Sequence, residues 1–398
     1  MKSWIAVFIL VAIAFTEYYI VLDTLTNIVS NMEFIETLNI MGVFFGGVGI
    51  ATVIGSIVSN TVIKQEKLML LWFLLGITSF LLFSITEGAS LLVISTISLL
   101  LGISIGLGMP SIMAYFADTF EIERRGRFGG TIWFVVGVCI SVFALVTITL
   151  GPAARMQSLA IFVGIGLLIF LLTKQRKTEE KKRQPKLTLI IRERRILLYV
   201  VPWIMFCLIN SLEAPILENF FGSDFFSIVP VAELAISSIT ALIGGFISDF
   251  EGRKRVAIIG FVLIGIGYAV LGFVPNLMIS WYLYVLVDGI AWGMFVLVFI
   301  MVVWGDFGAN TAKEKYYLIG GLPFLISWFL QFLIEPNIAA IPVEAAFSLA
   351  SLFLFIAVVP LMFAPETLPE KKLEKRRLKK YAETARKLKE KLEGNTPT

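Results

Sequence analysis

The chain carries twelve uninterrupted apolar runs, each close to the roughly 20 residues that an α-helix needs to cross a bilayer core about 30 Å thick. They start near Trp4, Ile40, Leu68, Leu91, Phe128, Gln157, Ile196, Phe225, Val256, Ile279, Tyr316 and Val343. A soluble domain is about 45–50% apolar and about 25% charged. Here 58% of the 398 residues are hydrophobic and 16% charged, and the apolar ones are contiguous. Inside lipid the backbone must satisfy its own hydrogen bonds, which leaves helices or a closed barrel, and unbroken runs without alternation select helices. The expected fold is an all-α membrane protein with twelve transmembrane helices.

The segments between the runs set the orientation. Lysine and arginine fall in alternate loops: Lys2, then Lys64 and Lys67, then Arg124, Arg125 and Arg127, then the stretch from Lys174 to Arg195. Arg253, Lys254 and Arg255 follow, then Lys313 and Lys315, and last the tail from Lys371. Of the 33 basic residues only Arg155 falls on the other side, whose loops carry Asp23, Glu33, Glu36, Glu87, Glu218, Asp224, Glu335 and Glu344. The positive-inside rule then makes both termini cytoplasmic, in a multi-pass protein of the cell membrane. The net charge of +4 follows from this topology and does not indicate a nucleic-acid partner. A cleavable signal peptide is not expected, because the first run is long for one and contains Glu17. Histidine is absent, and Cys139 and Cys207 lie inside runs, where they serve as small packing residues. Neither a metal site nor a cofactor is expected.

Residues 174–195 form the one long polar interruption, and they separate two halves that resemble each other. Asp118 precedes Arg125 by seven residues, as Asp306 precedes Lys313, and each acid ends a run holding a Gly-x-x-x-Gly pair, Gly102/Gly106 or Gly289/Gly293. A six-span unit duplicated in this way is typical of secondary transporters. The expected organisation is a six-helix bundle over 1–173, a cytoplasmic linker over 174–195, a second pseudo-symmetric bundle over 196–365 and a basic tail over 366–398. The tail reads either as an amphipathic helix on anionic lipid or as a solvated charged segment.

Four carboxylates sit inside the runs: Glu17, Glu213, Glu233 and Asp288. Each costs roughly 2.5–3.5 kcal/mol near the bilayer centre, and no Lys, Arg or His is available at that depth. Such acids must face water, bind a cation or hold a proton, so they are the candidate proton- and substrate-binding residues. Glu17 lies about 20 Å from the cytoplasmic edge, with Asp288 and Glu233 about 12–14 Å below the outer one. Glu213, about 26 Å along its span, can equally sit at the outer interface. A cavity lined with acids and lacking a base disfavours anions and suits a neutral or cationic organic solute. Trp133, Trp203, Trp292 and Trp328 either enclose such a solute or pack helices.

Between the eighth and ninth runs stands Gly245-Phe-Ile-Ser-Asp249-Phe-Glu-Gly252-Arg253-Lys254-Arg255. This segment resembles the signature loop of the major facilitator superfamily, G-x-x-x-D-x-x-G-R-[KR]-[KR], at every defined position. The Asp118/Arg125 and Asp306/Lys313 pairs resemble that superfamily's loops after spans four and ten, and Pro365-Glu366-Thr367 is similar to a segment of its sugar-porter branch. The resemblance implies alternating access, with Gly245, Asp249, Gly252, Arg253, Lys254, Asp118, Arg125, Asp306 and Lys313 in gating roles. The plain alternative is a turn with topogenic charge. The first-half counterpart, Gly55 to Ser59-Asn60, lacks the acid and the Gly-Arg pair, so a latch there is not expected to follow the same pattern.

The resulting expectation is a monomeric, proton-coupled (or sodium-coupled) secondary transporter, leaning to efflux as in the superfamily's drug-efflux branch. Ser98 replaces the Arg usual there in span four, and span five lacks the Gly-Pro signature. Uptake of a neutral solute such as a sugar is the second reading, and a non-transporting sensor or scaffold the third. An enzyme is not expected, since the chain has no nucleotide loop and no histidine.

Overall fold

The computed structural model describes residues 3–86, 89–173, 184–222, 228–334, 337 and 341–369, with positions 374, 378, 382, 385 and 386 beyond them. Lys2, Glu87, Asp224, Glu335, most of the linker and nearly all of the basic tail lie outside these residues. Each expected run contains a helix. The spans, numbered 1 to 12 hereafter, are Trp4–Val29, Phe34–Val58, Gln65–Ser84, Leu91–Thr119, Arg125–Thr147, Pro152–Leu172, Arg194–Phe221, Val229–Glu251, Arg253–Phe273, Met278–Phe307, Glu314–Ile334 and Val343–Phe363.

Several spans begin a few residues before the apolar run does, with polar first-turn residues such as Gln65, Arg125, Arg253 and Glu314 that are buried against other helices. Span 8 departs the other way. It begins at Val229 rather than near Phe225, with Pro230 in its first turn, where the missing N–H has no intrahelical partner to lose. Glu233 therefore stands about 6 Å from the helix start, half the expected depth. Span 10 contains a π-helical segment, Val296–Val302. The carbonyl groups of Phe299 and Met301 within it accept from Trp304 Nε1 and Tyr317 Oη.

The repeated glycines explain the closest crossings within each half. Gly102 and Gly106 lie against the Phe44 and Val48 carbonyls of span 2. In the other half, a Cβ at Gly289 would meet Ile236 at 2.7 Å, and one at Gly293 would meet the Ser237 carbonyl at 2.5 Å. Spans 4 and 10 can thus lie directly on spans 2 and 8, the small-residue packing available in lipid. Spans 5 and 8 make the main contact between the halves, joined by spans 2 and 11. Leu74, Leu81, Ile161, Leu171, Ile266, Leu349 and Ile356 on spans 3, 6, 9 and 12 are exposed, a large apolar surface of the kind that lipid covers.

Candidate functional site

A cavity of about 560 Å³ lies between the halves. Tyr19 and Trp133 line it from the first half, and Asn210, Glu213, Glu233, Tyr284 and Trp292 from the second. Its wall extends to Asp23, Asn27, Arg155 and Val229, so it reaches the end of the bundle where the loops are acidic. The size and the apolar, aromatic lining suit a small organic molecule. Of the four candidate tryptophans, Trp133, Trp292 and Trp328 reach the cavity. Trp203 does not; it stacks on Phe299 at 5.0 Å and donates Nε1 to the Gly320 carbonyl at 2.7 Å, a packing role.

Three of the four span acids cluster at the cavity: Glu213 and Glu233 line it, and Asp288 lies next to them without being among the lining residues. Glu213 of span 7 is buried rather than interfacial and accepts from Tyr284 Oη at 3.2 Å. Glu233 of span 8 and Asp288 of span 10 lie within hydrogen-bonding reach of each other. Among the described residues no donor reaches Glu213 Oε2, Glu233 Oε1 or either oxygen of Asp288. Two ionised carboxylates only accept, so the Glu233–Asp288 contact is favourable only with a proton between them. Asn210 Oδ1, beside this cluster, accepts from Trp292 Nε1 at 3.1 Å.

Glu17 lies elsewhere. Its Oε1 accepts from Ser104 Oγ at 3.3 Å, and Gly76 leaves room for it, so the carboxyl is enclosed by spans 1, 3 and 4 inside the first bundle. It is not among the residues lining the cavity. The sequence expectation that no base reaches the cavity fails at the rim, where Arg155 pairs with Asp23.

The opposite, basic end is held closed by bonds that cross between the halves. Arg125, at the start of span 5, pairs with Asp306 near the end of span 10, and Lys313 pairs with Asp118 of span 4. The acid and base that share a motif in sequence each take their partner from the other copy. Asp249, fully buried, accepts from the backbone N–H of Gly126 at 3.0 Å and of Arg127 at 3.1 Å, at the N-terminus of span 5. A carboxylate at a helix N-terminus meets unpaired N–H groups and the positive end of the dipole. Arg253 adds bonds to Asp249 at 3.1 Å and Asp306 at 3.3 Å. Gly245 permits the approach, since a Cβ there would stand 2.5 Å from the Gly126 carbonyl, and Gly252 takes φ 103°, which suits glycine alone.

Two parts of this closure were not foreseen. Ser59 Oγ and Asn60 Nδ2 donate to Glu314 Oε1 at 3.1 and 2.7 Å. The first-half loop thus keeps a cross-link with its polarity reversed: donors on the loop meet an acid on the first turn of span 11, where Asp249 meets amides. Glu366 accepts from the backbone N–H of Arg253 at 2.9 Å and of Lys254 at 3.2 Å, capping span 9, while Thr367 Oγ1 donates to Asp306 at 3.0 Å. Lys254 Nζ donates to the Met362 carbonyl at 2.7 Å and so holds span 12 rather than the other half. The acid after Lys313 and the Pro-Glu-Thr segment were the available signals.

Two six-helix bundles enclosing a cavity, open at one end and ion-paired at the other, define a membrane transporter. The family model for the Major Facilitator Superfamily matches residues 3–316, and the chain belongs to that superfamily. The human organic anion transporter MFSD10 is similar in structure, with a TM-score of 0.70 at 13% identity over 90% of this chain and 98% of that one. The proton:xylose symporter XylE bound to 6-bromo-6-deoxy-D-glucose superposes with a TM-score of 0.68 at 15% identity, over 92% and 96%. FucP in its outward conformation gives 0.69 at 13%, over 90% and 97%. No curated protein matches by sequence. The protein is a multi-pass transporter and not an enzyme.

Proposed function

We propose that this protein moves a small neutral or cationic organic solute by alternating access, coupled to protons, with efflux as the favoured direction. The observation that carries this reading is the cluster of Glu213, Glu233 and Asp288, in which Glu213 Oε2, Glu233 Oε1 and both oxygens of Asp288 have no donor among the described residues while Glu233 and Asp288 lie within hydrogen-bonding reach. A proton satisfies that contact, and a cationic or hydrogen-bonding solute replaces it; exchange of one for the other is the coupling step. In this reading the basic end faces the cytoplasm of the cell membrane, so the cavity is open outward. Arg125–Asp306, Lys313–Asp118 and the Asp249 contacts then act as the inner gate, breaking when the halves rock the other way. Glu17, enclosed within the first bundle, takes up a proton in a second, slower-exchanging position.

A second reading, proton-coupled uptake of a neutral solute, is favoured by the docking of Glu366 and Thr367 onto the gate, since that segment resembles the sugar-porter branch. Flux into proteoliposomes under an imposed proton gradient separates the two, using lipophilic cationic dyes against neutral sugars. Proton movement driven by the dyes supports export. Movement driven only by sugars supports uptake, and flux of either class indifferent to the gradient would sink proton coupling.

A further inference from the structure

The first-half face of the cavity holds an Arg155–Asp23 ion pair, and the second-half face holds the carboxyls of Glu213 and Glu233. On the second-half face, Glu213 is nine-tenths buried and its Oε2 has no donor among the described residues. Across from it, Arg155 of span 6 gives Nη1 to Asp23, and its Nε is buried with no acceptor among the described residues. Asp23 is half exposed to water, whereas the Arg155 side chain is only 14% exposed. The guanidinium is a planar fork of five N–H donors, and Asp23 occupies one corner of it. A carboxylate arriving at the Nε edge would make the charge-assisted bonds that this edge lacks. The repulsion it would feel from Asp23 is screened by the solvent around that acid.

The vertical spacing says what kind of molecule could use both faces. Arg155 stands about 4–5 Å into span 6 from the acidic end, and Glu233 about 6 Å into span 8. Glu213 lies about 12 Å in from the same end of span 7. Between the two charged faces the cavity wall is aromatic, with Tyr19, Trp133 and Trp292.

Resting on the transport reading above, we propose that the preferred substrates are zwitterions, organic molecules whose ammonium group meets Glu213 and Glu233, the two acids of that cluster that line the cavity, and whose carboxylate meets the Nε edge of Arg155, with an apolar or aromatic body between. A zwitterion leaves the cavity's net charge unchanged on binding, and it pairs the unpartnered groups on both faces at once. A simple cation satisfies only one face.

Calorimetric titration of the purified full-length protein tests this with a ladder of ω-amino acids and aryl amino acids of increasing length, each beside its methyl ester and its N-acetyl derivative. At least one length should bind about tenfold or more tighter than either blocked form. Arg155→Gln should lower the amino acid to the level of its ester and leave the ester's own affinity unchanged, which also shows that the variant is folded. Glu213→Gln should abolish the penalty of N-acetylation instead. The proposal is overturned if no amino acid on the ladder outperforms its ester, or if the preference survives Arg155→Gln. Simple cationic amines bound and transported with no carboxylate preference would overturn it while leaving the transport reading intact; a protein that moves no amine and no sugar would lose both.

Discussion

Arg125 and Asp306 form a buried ion pair between the two halves, and the same repeat supplies its mirror image in Lys313 and Asp118. Each half thus contributes one acid and one base to the other. Removing one member of a buried pair leaves a desolvated charge behind, at a cost of about 3–5 kcal/mol. The cost falls only on the state in which the pair is made. Asp306→Asn should therefore move the population toward opening at the basic end by a factor of about 100 or more. A cysteine placed by Ser141→Cys, on a background lacking Cys139 and Cys207, reports the change, because Ser141 lines the cavity. Its labelling by an impermeant thiol reagent from the acidic side should fall in Asp306→Asn. Unchanged labelling would remove this pair from the gate.

The reversed contact at Glu314 makes a prediction opposite in sign to what the neighbouring motif implies. Asn60→Asp places an acid one residue after Ser59, the position that matches Asp249 in the signature loop. Here it sets a carboxylate against Glu314 Oε1, which Asn60 Nδ2 now reaches at 2.7 Å. Two like charges at that separation repel, and the substitution should weaken the closed end, whereas Asn60→Asp with Glu314→Gln should recover it. The same labelling assay reads both.

The twelve spans were legible because lipid allows so few backbone arrangements, and contiguous hydropathy identifies one of them directly. The gate residues were legible as types and positions, through the repeat that places Asp118 like Asp306 and Arg125 like Lys313. Their pairing was not, because the base that shares a motif with Asp118 is Arg125, and only the packing of one half on the other brings Lys313 to it instead. The helix that carries Asp288 starts at Met278, where the apolar run does, whereas the helix that carries Glu233 starts later than its run, because Phe225 and Phe226 extend the apolar sequence ahead of Pro230. That Glu213, Glu233 and Asp288 converge while Glu17 stands apart depends on helix rotation, to which a run apolar on every side gives no clue. The π-helical Val296–Val302 carries no local signal either, since its residues differ little from the rest of span 10.

Glycines at two kinds of crossing should behave differently. Gly130 lies where span 5 meets the Ala241 carbonyl of span 8, between the halves. Gly293 lies where span 10 meets Ser237, within one half. Overpacking costs about 1–3 kcal/mol in either place. At Gly130→Ala the halves can relieve the clash by separating, so thermal stability should change little while cysteine labelling from the acidic side falls. At Gly293→Ala no rigid-body motion relieves it, and the melting temperature in detergent should drop by several degrees.

Replacement of the touching carboxyls separates binding from coupling. In Asp288→Asn the amide donates to Glu233 and takes the place of the shared proton, so the fold and the cluster persist. Counterflow of substrate across proteoliposomes at equal pH should continue, within about threefold of the parent, since binding is retained. Accumulation driven by a proton gradient should vanish. Gradient-driven accumulation surviving in both Asp288→Asn and Glu233→Gln would show that the proton travels by another route.

Glu366 ties the chain beyond span 12 to the gate, and truncation can locate where that role ends. Its carboxylate caps the N-terminus of span 9 through the Arg253 and Lys254 amides, and its neighbour Thr367 bonds Asp306. A capping carboxylate contributes about 0.5–2 kcal/mol. Ending the chain after Pro369 keeps these bonds and should leave flux and melting temperature near their full-length values. Ending it after Ala364 removes the cap and the Asp306 contact together, and both readouts should fall. Glu366→Gln is the finer probe: the amide oxygen can still accept one backbone N–H, but the charge that meets the helix dipole is gone, so its loss should be smaller than that of the truncation. Equal behaviour of the two truncations would confine the segment to a tether with no part in closing the basic end.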